Sequence, residues 1–364
     1  MLPYIFILLL FLVGFTAKKQ KPFFYICAVC MFLVVALRAW VVGVDTETNI
    51  YVFQNSIGDY HPTEPLWDAY VVFMRSITDN PQFFLATTAL LTLLPLFILI
   101  YKKSEFILLA LFVYFILPND QGYIFIMSGM RQAIAITLVL WMYHCFENRK
   151  WVWVAILVTA AFLIHNSSVI AFAGLLLAAL VKPNQVTAAI IMVAALVFMG
   201  LSFSMKDVFS IIENTSLMQI AFIEDYSSYA NYLENEYSLT FFGTLNLILP
   251  LMMMSALILL NPKVLDTLYA RLYLLGAILI TMFSGVPMIS RYFMYFIIPE
   301  VYVLPQIYMS KEKKFNKTLC KILLFYQAVI LFLYLYFNYV HGLDYNVRRV
   351  TPYFFFFEKG FNAL

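Results

Sequence analysis

Charged side chains are scarce in this sequence: 12% of its 364 residues are Asp, Glu, Lys or Arg, against 63% that are hydrophobic. So few polar groups cannot cover a water-soluble globule of this length, which excludes the soluble classes and predicts an integral membrane protein. The net charge is only +3, and the basic residues lie in short loops instead of one patch, which excludes a nucleic-acid partner. Cysteine is sparse too. Cys27 and Cys30 form a C-x-x-C inside an apolar run, while Cys145 and Cys320 lie near basic loops, so small core residues are expected and neither a redox pair nor an outer disulfide. The four histidines show no H-x-x-x-H spacing, so no metal site and no cofactor is predicted. Nucleotide-binding and G-x-S-x-G motifs are missing, as are internal repeats. Energy for any reaction must then come from the substrate itself.

Long apolar runs are what the chain has in abundance. About twelve are delimited by charged residues, near 2–17, 22–43, 81–101, 105–118, 122–146, 151–165, 168–181, 185–201, 240–260, 272–289, 292–309 and 319–340. Those at 105–118 and 168–181 are shorter than the ~20 residues of a bilayer-crossing helix, which predicts extended, tilted or re-entrant segments. Lys18, Lys19 and Lys21 follow the first run, the reverse of the order in a cleavable signal. The expected fold class is all-α and polytopic, one transmembrane domain over residues 1–364 with outer segments 44–80, 202–239 and 341–364.

The basic residues orient it. Alternate connections hold Lys18, Lys19, Lys21; Lys102, Lys103; Arg149, Lys150; Lys182; Lys263, Arg271; and Lys311, Lys313, Lys314, Lys317, Lys321, the majority of the 23 basic residues. By the positive-inside rule that face is cytoplasmic, and both termini lie outside. The opposite face carries single arginines beside apolar helices. A buried cation costs at least ~2.5 kcal/mol near a helix centre, so Arg38, Arg131 and Arg291 are functional candidates; the competing reading is that each snorkels to headgroups or pairs with an acid. Arg131 stands out in "YIFIMSGMRQAIAITLVLWMYHCF", residues 123–146, with Gln132 beside it and Gly129 before it.

The outer segments mix acids, aromatics and turn residues, a composition suited to sugar rings, although an aromatic belt with solvated acids reads equally well. Within 44–80, "LWDAYVVFM" has the pattern of an amphipathic interfacial helix. His165, in "FLIHNSSVIAF", falls at the outer end of a short run. A half-buried imidazole there suits proton transfer near neutral pH, against the alternative of a satisfied core histidine. Glu300 lies well inside an apolar run and is expected to face the helix bundle.

An ordered set of short motifs then carries a resemblance. "RAWVVGVDT" from Arg38 to Thr46, Tyr51, Glu64-Pro65, "SGMRQA" around Arg131, "LIHNSS" around His165 and "SRY" at 290–292 together resemble the EpsG-like polysaccharide polymerases, a branch of the Wzy-type polymerases. The resemblance implies a GT-C-like multi-helix bundle with outer-face loops, in the bacterial inner membrane, with its active site facing the periplasm or cell exterior. It further implies transfer of a growing glycan from undecaprenyl diphosphate to a lipid-linked repeat unit. The implied partners are that lipid-linked oligosaccharide, membrane lipids and a chain-length regulator. On this reading Arg131 and Arg291 clamp the diphosphate, with Arg38 as a third cation, and His165 is the base for the acceptor hydroxyl. Asp45 and Glu64 are the alternative bases; either could instead orient the histidine, bind acceptor hydroxyls or pair with Arg38. Gln132, Tyr51 and Tyr292 are expected to contact sugar or phosphate. Other readings are a different lipid-linked glycan transferase such as a ligase, an oligosaccharide flippase, or a membrane acyltransferase.

Overall fold

The computed structural model describes residues 1–55, 64–118, 122–200, 241–284, 289–310, 314–341 and 350–358. In chain order the α-helices are α1 (Leu2–Thr16), α2 (Lys21–Ala36), α3 (Thr46–Asn55), α4 (Pro65–Ile77), α5 (Pro81–Lys103), α6 (Ile107–Ile116), α7 (Met130–Glu147), α8 (Trp151–Ile164), α9 (Val169–Leu180), α10 (Gln185–Gly200), α11 (Phe241–Leu259), α12 (Pro262–Leu265), α13 (Leu268–Met282), α14 (Ile289–Ile297), α15 (Glu300–Met309) and α16 (Lys314–His341). Short 3-10 turns occupy Tyr123–Met127 and Asn166–Ser168. No strand occurs among the described residues, where an isolated antiparallel bridge joins Arg38 to Phe355, so the fold is all-α as expected. The expected outer segment 202–239 lies outside the described residues, as do 342–349 and 359–364 of the expected outer segment 341–364.

The apolar runs map onto helices with instructive differences. The run at 105–118 becomes α6, only about 15 Å long at 1.5 Å per residue. Every residue from Leu108 to Ile116 is buried, because α1, α2, α5, α15 and α16 all pack around it. The run at 122–146 is not one helix: it is a 3-10 turn followed by α7, interrupted at Ser128 and Gly129. Arg131 therefore stands in the first turn of α7 instead of inside a continuous span. The run at 292–309 is likewise divided into α14 and α15 before Glu300, where Pro299 removes a backbone donor.

Against about twelve spans expected, two helices among the described residues, α5 and α16, are each long and apolar enough to cross a membrane; shorter apolar helices include α1, α2, α6, α8, α11 and α13. The outward faces are apolar as well: Leu2, Trp151, Val152, Leu180, Val186, Ile190, Phe325 and Leu333 are all exposed.

Side-chain contacts fix how helices run relative to one another. Thr137 and Trp141 of α7 donate to the carbonyl oxygens of Thr92 and Pro95 of α5, each at 3.0 Å. Lys103 at the end of α5 pairs with Glu147 at the end of α7, at 2.5 Å, so α5 and α7 are parallel. Arg149, in the left-handed region at φ 57°, turns the chain back into α8. Basic residues collect at this end. Lys21 lies 5.5 Å from the Tyr101 ring, Arg149, Lys182 and Arg271 border one depression with Glu147, and Asn316 of α16 donates to Asn261 at 2.8 Å. The other end of α7 carries Arg131, about 27 Å away along an 18-residue helix.

At that other end, α3 and α4 are held by a small apolar cluster of Ile50, Phe53, Trp67, Val71, Met74, Phe84, Leu85, Met130 and Ile134. Trp67, Val71 and Met74 recur at helical spacing on one face of α4, the amphipathic helix expected in "LWDAYVVFM". Residues 350–358 fold back over the end of α2: Ala39 N–H donates to Phe354 O at 2.9 Å and Phe356 N–H to Leu37 O at 3.0 Å.

Candidate active site

Four chain segments meet at the start of α7. The hairpin of α7 and α8 returns the chain so that His165, ending α8, lies near the α7 N-terminus, and α4 packs on α8. Glu64 precedes Pro65 in an extended conformation; its N–H is bonded to Asp68 Oδ2 at 3.2 Å. Its carboxylate reaches across the fold. Oε1 lies 2.6 Å from His165 Nδ1 and Oε2 2.7 Å from Arg131 Nη1, and Asn166 N–H donates to Oε1 at 3.3 Å. The Glu64 side chain is 6% exposed, His165 24% and Arg131 37%, so the carboxylate is sealed behind two groups that reach the cavity.

Charge fixes the protonation pattern. Burial pushes the Glu64 carboxyl up, yet the hydrogen bond and charge of His165, the charge of Arg131 and the Asn166 N–H outweigh it and hold it below its ordinary value. An ionised carboxylate only accepts, so His165 Nδ1 carries the donated proton, and in the neutral form of the ring the lone pair is on Nε2. A histidine oriented in this way by a carboxylate is an arrangement that can carry out general-base chemistry.

The cavity has a volume of about 350 Å³ and is bordered by Asp45, Arg131, Gln132, His165, Arg291 and Tyr292 among others. Six of the nine residues singled out in the sequence therefore share one wall, and Glu64 stands directly behind it. Gln132 Nε2 donates to Arg291 O at 2.5 Å, and the Arg291 guanidinium lies 5.8 Å from the Phe125 ring, which fixes α14 against the start of α7. Two residues are elsewhere. Tyr51 is exposed on α3, away from the cavity wall. Arg38 is 1% exposed and makes hydrogen bonds to Val35 O, Thr46 Oγ1 and Met130 Sδ, one layer behind the wall.

Sequence reasoning passed over Asn49, Phe125, Ser128, Asn166 and Ser167, which also border the cavity. Asn49 was findable, being one helical turn from Asp45; Asn166 and Ser167 flank the histidine. Ser128 opens the motif around Arg131 but was given no role, and Phe125 carried no signal, since an apolar run hides the break between the 3-10 turn and α7. No group of three or more metal-ligating side chains occurs among the described residues.

Fold and cavity together define an all-α protein with a glutamate–histidine–arginine cluster walled by helix ends. The model of the EpsG family matches residues 21–355, nearly the whole chain, and the chain belongs to that family. Membership is consistent with a polysaccharide polymerase-type role. No curated protein and no solved structure matches the chain.

Proposed function

We propose that this chain is a Wzy-type polysaccharide polymerase: a polytopic, GT-C-like glycosyltransferase of the bacterial inner membrane, forming one transmembrane domain. It transfers a growing glycan from undecaprenyl diphosphate to a lipid-linked repeat unit at the outer face. Family membership supports the reaction class. Membrane embedding is supported by the exposed apolar side chains, by α5 and α16, and by α7, whose ~27 Å approaches the hydrocarbon thickness. The outer placement rests on the separation of the basic loops from the cavity along α7. A chain-length regulator is the proposed protein partner.

The observation that carries the reaction is Glu64 bonded at once to His165 and Arg131 at the edge of the cavity. The acceptor sugar hydroxyl gives its proton to His165 Nε2 as its oxygen attacks the anomeric carbon of the donor glycan. The bond from that carbon to the diphosphate oxygen breaks, its electron pair leaves with the diphosphate, and the anomeric centre inverts. Glu64 stabilises the imidazolium that forms. Arg131 retains donors beyond the one given to Glu64, and with Arg291 it neutralises charge on the leaving group. Asp45 and Asn49 suit acceptor hydroxyls. Arg38 and Tyr51 have no direct substrate contact in this scheme.

The test is purified protein in lipid with a lipid-linked repeat unit and neither nucleotide sugar nor acyl-CoA. A ladder of longer lipid-linked glycans is expected. A single transferred block, one added acyl group, or substrate movement without bond formation would overturn the polymerase reading.

A further inference from the structure

Glu64 at 2.7 Å offsets part of the Arg131 charge, so positive potential beyond that of Arg131 and Arg291 would favour an anionic leaving group. Three observations converge on the N-terminus of α7. Ser128, the residue before the Gly129 cap, is 1% exposed and borders the cavity. Its Oγ has no hydrogen-bond partner among the described residues, a state that is costly unless something bound there completes it. The N–H groups of Arg131 and Gln132 lie in the first turn of an 18-residue helix, where helix geometry supplies no acceptor and the macrodipole favours an anion.

Behind them stands Arg38. Its guanidinium is fully buried with neutral partners alone, Val35 O at 2.5 Å, Thr46 Oγ1 at 3.4 Å and Met130 Sδ at 3.2 Å. None of the ion pairs among the described residues includes it. A buried, unmatched cation lowers stability, and replacing it by an apolar side chain commonly raises stability. Through Met130 it touches the helix start whose first residues wall the cavity.

We propose that Ser128 Oγ and the first-turn N–H groups of α7 form a seat for a phosphate oxygen of a diphosphate, with Arg38 as a positioning residue that supplies charge from behind the wall. The seat deepens the polymerase reading and rests on it for the identity of the diphosphate as leaving group. Ser128 donates its hydroxyl hydrogen to the phosphate oxygen. Arg38 makes no contact with the ligand and acts through the field in the water-poor wall.

The experiment uses the purified full chain, with inorganic pyrophosphate as the probe in equilibrium titration and melting temperature recorded for each variant. Ser128→Ala removes an unpartnered hydroxyl, so it is expected to melt at or above the wild-type temperature while binding pyrophosphate about 10–100-fold more weakly. Arg38→Met is expected to weaken pyrophosphate about tenfold with an unchanged or higher melting temperature, and Arg38→Lys to retain more affinity than Met. A purely structural Arg38 would instead lower the melting temperature and leave affinity alone. Wild-type pyrophosphate affinity in Ser128→Ala, or no pyrophosphate binding by the wild type, overturns the seat. Should pyrophosphate bind there while no glycan ladder forms, the seat stands and the polymerase reading fails. If ladders form while pyrophosphate affinity is unmoved in Ser128→Ala, the seat fails and the polymerase reading stands.

Discussion

Glu64 links the two residues with which the proposed reaction begins, and that makes it the most informative single substitution. Glu64→Gln keeps the shape but loses the carboxylate that fixes the His165 tautomer and matches Arg131. Single-turnover measurement is expected to show a rate loss of ~10²-fold or more, with lipid-linked substrate still bound. His165→Ala is expected to fall by ~10²–10⁴-fold, also with binding retained. Arg131→Ala should abolish polymer and Arg131→Lys rescue it only in part, because an ammonium lacks the planar fork. The pH dependence has a definite sign. The carboxyl of Glu64 lies below its ordinary value in the folded chain, so its stabilisation is complete above the unfolded value of ~4.3 and is lost as pH falls through the folded one. Glu64→Gln should therefore show a flatter acid limb in a stability-versus-pH series; an identical limb would refute the pairing.

Helix ends, more than helix interiors, build this site. Gly43 has φ 91°, and a Cβ there would overlap Met127 O, a backbone atom. Gly43→Ala is thus expected to destabilise by about 2 kcal/mol or more in denaturant titration, since both conformation and space oppose it. At Gly129 a Cβ would instead run into the Phe125 ring. Gly129→Ala should displace that ring and the Arg291 guanidinium near it, lowering activity more than stability. Glu300 is buried at the start of α15, as its place in the sequence led one to expect, and accepts from Gln327 Nε2 of α16 at 2.7 Å. Glu300→Leu strands that amide and is expected to cost ~1–3 kcal/mol, whereas Glu300→Gln keeps an acceptor and costs less.

On the scale of the whole molecule, the bundle has two chemically different ends. One gathers Lys21, Lys102, Lys103, Arg149, Lys182 and Arg271; the other holds Asp45, Arg131, His165 and Arg291 around the cavity. Single cysteines introduced at positions 45 and 165 should react with an impermeant thiol reagent applied from outside intact cells, and one at position 182 should not. Labelling of 165 from the cytoplasmic side alone would overturn the outer-face polymerase.

The sequence by itself determined that helices would dominate, where most of the apolar runs lie, and which polar residues interrupt them, because hydrophobic periodicity and charge scarcity are local properties of the chain. It also singled out Arg131, Gln132, His165 and Arg291, since a polar group in an apolar run is conspicuous without coordinates, while Asp45 and Tyr292 came from the motifs that carry the family resemblance. Only the tertiary structure decided that Glu64, about a hundred residues before His165, bonds both it and Arg131. It alone set Arg38 one layer behind the cavity wall and Tyr51 away from the cavity, and it broke the run at 122–146 at Ser128. Those outcomes depend on which helix ends pack together, and an apolar run reports that a residue is buried without reporting what it is buried against.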